Sequence, residues 1–142
     1  MTTGYQWARK RTTAALREEV VAMHREEDQL HIAIVHLLEV AAAPGVVWWH
    51  TPNGGKRSKR EAARFRAMGV LAGVADFAIS MPGGRFAFIE VKSRGGCLSA
   101  EQKAFLRSME ANGHQTAVVR SLADASAALT GWSAIRNARV AA

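Results

Sequence analysis

Apolar residues recur at helical spacing early in the chain. Between Arg25 and Ala43, Leu30, Ile34, Leu37 and Leu38 stand three or four apart, which predicts a helix buried along one side. Pro44-Gly45 stops it. VVWWHT (46–51) is β-rich, and the PNGG after it supplies turn chemistry. Ser58 is placed to cap a short helix that runs through Met68 and ends at Gly69. VADFAIS (74–80) and RFAFIEVK (85–92) read as the two strands of an antiparallel hairpin with a four-residue connection, MPGG. Ser99 and Gln102 form a capping box for a helix that Gly113 ends. HQTAVVR (114–120) is a fourth strand, and SLADASAALTGWSAI (121–135) a last helix.

That order of elements predicts an α/β fold, a mixed β-sheet flanked by helices. There is no internal repeat or low-complexity tract. Nearly half of the 142 residues are apolar and 22% are charged, as in an ordinary folded domain. The expected organisation is a basic arm or helix over residues 1–24, then one domain over 25–142. A lone cysteine, Cys97, leaves no intrachain disulfide, and no apolar run approaches a membrane span. A reducing cytoplasm, bacterial or that of a phage-infected cell, is the expected compartment.

Charge narrows the partners. Nineteen Lys and Arg against 12 Asp and Glu leave a formal +7, a field that draws polyanions. The surplus is local. Residues 56–66 (KRSKREAARFR) hold six basic residues and one acid, and residues 1–17 hold four basic residues and none. Lys56, Arg57, Lys59 and Arg60 are therefore candidate DNA-binding residues, and Asn53 joins them from the turn just ahead. A charged face kept for solubility explains the same composition.

Side chains alternate along a strand, so Glu90 and Lys92 share one face while Ile89 and Val91 take the other. Asp76 is the only charge in the neighbouring apolar run. Ionisable groups in core strands are costly unless something pairs with them. A divalent metal does so. Mg²⁺ prefers hard oxygen donors, and Asp76, Glu90 and the Val91 carbonyl suit it. Lys92 is then placed to orient or deprotonate an attacking water and to stabilise charge on a phosphate. An isolated ExK tripeptide is short and common and reads first as a Glu-Lys pair on a solvent-facing strand, with Asp76 in a turn. The Asp strand, the Gly-rich turn, the ExK strand and the capped helix with its Gln form a much longer pattern.

Taken together, GVADFAI, FIEVKS, LSAEQKAFL and NGHQTAVVR resemble the VRR-NUC branch of the PD-(D/E)xK nuclease superfamily. EDQLHIAIVHLL is similar to that family's opening helix, and WWHTPNGGKR with AMGVLAGVADF to the segment leading to its catalytic Asp. The resemblance spans roughly residues 26–129 and departs at Ala75, where the family usually has Pro. It implies a restriction-endonuclease-like fold with an αβββαβ core. It also implies Glu27, Asp76 and Glu90 as metal ligands, Lys92 as the catalytic lysine and Gln102 as a site residue. Glu26 and Glu27 compete for the helix ligand; Glu27 shares a register with Leu30 and Ile34.

The implied activity is Mg²⁺-dependent endonucleolytic hydrolysis of DNA, with Mn²⁺ able to substitute and 5′-phosphate products. Small members resemble resolving enzymes for four-way (Holliday) junctions, so branched DNA and a homodimer are expected. A flap- or end-directed nuclease and a non-catalytic basic DNA-binding module are the alternatives. His24, His31, His36, His50 and His114 show no zinc spacing and read as surface or core histidines. His50 and Asn53 lie near enough to the catalytic strands to touch a phosphate, although an Asn beside Gly is more often simply a turn residue. Trp48, Trp49 and Trp132 read as core.

Overall fold

A computed structural model describes residues 25–52 and 57–136. The basic arm over 1–24, Asn53 and Lys56 lie outside the described residues. Helix α1 (Arg25–Ala41) opens on Glu26, Glu27 and Asp28, acids that complement the positive helix N-terminus. It buries Ile34 and Leu38, two of the positions its periodicity marked. Strand β1 (Val47–His50) follows, then helix α2 (Lys59–Ala67), capped by a reciprocal Ser58/Glu61 box. Strands β2 (Phe77–Met81) and β3 (Arg85–Val91) form the hairpin. Met81 still pairs with Arg85, so the connection is three residues, not four, with Gly83 and Gly84 both at positive φ. Helix α3 (Ala100–Ala111), strand β4 (Gln115–Val119) and helix α4 (Leu122–Gly131) complete the order.

The sheet runs β1-β2-β3-β4, antiparallel except for the parallel β3/β4 pair. The parallel pair requires a crossover, which α3 provides. On one face α1 and α4 close over Phe77, Ile79, Ala87, Ile89 and Val91, the main core. On the other, Phe105 and Leu106 of α3 pack with Ala75, Phe88 and Val118. Helices thus cover both faces of a mixed sheet, as the order of elements predicts.

Two expectations change in detail. The last helix ends at Gly131, because Ser133 takes φ 59° and Ile135 returns to bridge Ala42 beside the end of α1. Trp48 and Trp132 pack against the core, whereas Trp49 points away from it and is 44% exposed. Helix α2 buries no side chain and stands as a basic, solvated element. No helix among the described residues is long and apolar enough to cross a membrane.

Candidate active site

The register of the hairpin assembles the site. Phe77 pairs with Ile89, so one step further out Asp76 comes opposite Glu90. Asp76 itself lies at a bend just ahead of β2, not within the strand as its pattern suggested. Its backbone carbonyl accepts from the Thr51 N–H at 2.8 Å and from His50 Nδ1 at 2.8 Å. Its Oδ2 accepts from the Val91 N–H at 2.8 Å, which ties the first acid to the end of the strand that carries the second.

Glu90 is the one charged side chain among the described residues classed as buried, at 2% exposure. Its Oε1 receives Gln102 Nε2 at 2.7 Å and Lys92 Nζ at 3.1 Å. Oε2 is buried and has no hydrogen-bond partner among the described residues. Burial, and next the neighbouring Asp76 carboxylate, push the Glu90 carboxyl up to about 7, while Lys92 pulls it down. A solvent-facing Glu-Lys pair does not look like this. A buried acid with one oxygen held and one unpartnered is the chemistry of a cation ligand, and a hard divalent ion fits it.

Glu27 is half-buried and Glu26 exposed, the order their register anticipated. Glu27 Oε1 accepts from the Ser93 N–H at 3.0 Å, which sets it against the chain just past Lys92. Arg120, the last residue of NGHQTAVVR and not singled out there as a site residue, holds the same turn by donating to the Ser93 and Gly96 carbonyls at 2.7 Å each. Arg57, Lys59 and Arg60 are exposed around the start of α2, with Arg57 over the Phe65 ring at 4.5 Å.

One grouping is new. Among the described residues, the trio of His, Cys, Asp or Glu side chains whose ligand atoms all lie within 4.8 Å of one another is His31, His50 and Asp76. Glu27, Asp76 and Glu90 are not drawn together that tightly. Sequence spacing set His31 apart from His50, because they stand on different elements and meet only through the fold. The available signal was register: His31 is four after Glu27 and so on the same helix face. Burial, then His50, lowers the His31 pKa, so that the ring favours its neutral form.

The family model for the VRR-NUC domain matches residues 25–123. The chain belongs to the VRR-NUC family. VRR-NUC is a nuclease domain, and binding to DNA comes with that membership. Two solved structures agree in fold. A "VRR_NUC domain protein" superposes with a TM-score of 0.62 at 21% identity, over 75% of this chain and 87% of the other. A "VRR_NUC domain" gives 0.50 at 18% identity, over 75% and 95%. No curated protein matches the chain. The mixed sheet of this VRR-NUC chain is therefore the restriction-endonuclease-like one the motifs implied.

Proposed function

We propose that this VRR-NUC chain is a Mg²⁺-dependent DNA endonuclease that resolves four-way junctions as a homodimer. The observation that carries the metal-dependent reading is the unpartnered Oε2 of buried Glu90 beside Asp76. Asp76 and Glu90 would hold the ion, with Glu27 and the Val91 carbonyl as further donors. A bound Mg²⁺ supplies a Lewis acid that polarises the phosphate and lowers the pKa of water.

The remaining work falls to side chains already in place. Lys92 Nζ, anchored on Glu90 at 3.1 Å, presents N–H donors to an attacking water and to the phosphate oxygen on which charge grows. Gln102 keeps the Glu90 carboxylate in one orientation. The exposed Arg57, Lys59 and Arg60 contact backbone phosphates without reading bases, which suits recognition by shape.

The junction reading rests on stoichiometry. Resolution takes two nicks in symmetry-related strands, and a twofold dimer supplies two sites in fixed relation. Val47 and Trp49, exposed at 60% and 44% on the edge strand β1, offer an apolar surface for such a contact.

The test is cleavage of four-way, flap, linear duplex and single-stranded DNA with Mg²⁺ or EDTA, alongside Asp76→Asn, Glu90→Gln and Lys92→Ala. The four-way junction is cut fastest, EDTA stops the reaction, and each variant binds DNA but does not cut. Wild-type cleavage by Glu90→Gln removes the site assignment. A monomer in sedimentation that prefers flaps removes the junction reading and leaves the nuclease.

A further inference from the structure

Beside the catalytic carboxylates lies a donor set of different chemistry. His31 comes from α1, His50 from the end of β1 and Asp76 from the bend before β2, and their ligand atoms are mutually within 4.8 Å. We propose that His31, His50 and Asp76 form a binding site for a transition-metal dication of the zinc class. Imidazole nitrogen suits Zn²⁺, Co²⁺ or Ni²⁺, whereas Mg²⁺ selects oxygen. Two adjacent clusters thus prefer different ions, with Asp76 common to both.

The rings are prepared for ligation. A carbonyl only accepts, so His50 Nδ1, 2.8 Å from the Asp76 carbonyl oxygen, carries the proton. In the neutral ring the lone pair is then at Nε2. Fixing one ring nitrogen on a backbone carbonyl is how proteins orient a metal-binding histidine. His31 lies flat on Phe77, with centroids 4.3 Å apart and planes at 25°. It meets His50 edge-on at 4.3 Å and 79°, so both rings are held by packing. Asp76 Oδ2 accepts the Val91 N–H, and the other carboxylate oxygen is left for an ion.

Ligands at tetrahedral zinc stand about 3.3 Å apart, from metal–ligand distances near 2.0 Å. The trio has to close from within 4.8 Å to that spacing on binding. All three residues are half-buried, which leaves a fourth position for water. Three protein ligands and an open position are the pattern of a reactive site, not a closed structural one.

The site is tested by binding, independently of any cleavage. Co²⁺ is titrated into the untagged full chain without Mg²⁺ and followed by visible absorption, then displaced with Zn²⁺. One equivalent gives the intense bands of a four- or five-coordinate, nitrogen-ligated ion. His31→Gln and His50→Gln, checked for folding by circular dichroism, each weaken binding by about tenfold or more, and Glu90→Gln weakens it less than either. If one histidine variant does not fold, the other and the wild type decide. Absence of zinc-displaceable binding in the wild type, or an octahedral oxygen-ligated spectrum, overturns the proposal. So does a loss in Glu90→Gln equal to that in the histidine variants, which places the ion at the catalytic carboxylates.

Discussion

The side chain of Gln102 donates from Nε2 to Glu90 Oε1 at 2.7 Å while its Oε1 accepts the Ser99 N–H at 2.9 Å. The backbone N–H of Ser99 can only donate, so the amide has one possible orientation, with its NH₂ toward Glu90. Helix capping and site building, which the capping-box pattern set against each other, are two ends of one amide. The first turn of α3 is thereby coupled to the rotamer of a buried acid.

Gln102→Glu separates the two ends. Glutamate keeps the capping box but offers no donor and sets a second carboxylate against Glu90. Far-UV circular dichroism shows the helix retained. Mg²⁺ affinity, read from the metal dependence of cleavage, falls about ten- to a hundredfold, and added Mg²⁺ restores part of the rate. An unchanged Mg²⁺ dependence would reduce Gln102 to a cap.

The raised Glu90 pKa carries a stability signature. Its folded value of about 7 lies above the ordinary 4.5, so the folded state holds the proton more tightly than the unfolded one. The resulting stability is fully present below pH 4.5 and is lost as pH rises through about 7. The whole loss is about 3 kcal/mol at most. Urea melts of metal-free protein between pH 4 and 8 record it, and Glu90→Gln flattens that part of the profile. Mg²⁺ at pH 8 recovers stability in the wild type only, since the ion binds the ionised carboxylate.

Most of the fold was legible because local signals agreed. The period of α1, the Ser58 cap, the Ser99/Gln102 box, the glycines at 69 and 113 and the alternation of β3 all act within a few residues. The details that moved are set by contacts distant in sequence. Ser133 to Ile135 leaves the helix pattern because it pairs with Ala42. The same division holds in the site. Asp76, Glu90, Lys92 and Gln102 sit in short motifs, and hairpin register and a capped turn bring them together. The approach of His31 to His50 needs α1 laid against β1, and no spacing rule encodes that.

Changing Lys56, Arg57, Lys59 and Arg60 together to Ala tests the basic segment. For every phosphate that a side chain no longer neutralises, the slope of log affinity against log salt falls by about 0.9. DNA binding at low salt weakens and its salt dependence flattens, while cleavage at saturating DNA changes less than affinity. Fluorescence anisotropy over a salt series measures both quantities. An unchanged slope places the DNA on another face.

Gly73 sits where the segment leading to Asp76 crosses the start of α3, and its φ is +79°. A Cβ there would press into the carbonyl group of Glu101, 2.6 Å from its oxygen, and lie 2.7 Å from the Gln102 nitrogen. These are backbone atoms of a capped helix, so they cannot turn aside. The strained φ alone costs about 1–3 kcal/mol for a residue with a side chain, and the clash adds to it. The two segments forced apart carry Asp76, opposite Glu90 in the hairpin register, and Gln102, which donates to Glu90 Oε1. Gly73→Ala therefore lowers the melting temperature and slows cleavage measured well below that temperature. Gly95→Ala is the control, because nothing lies within 4 Å of a Cβ built there, and it leaves both quantities close to wild type. A Gly73→Ala protein as stable and active as Gly95→Ala would show that the approach to α3 does not set the spacing of the site.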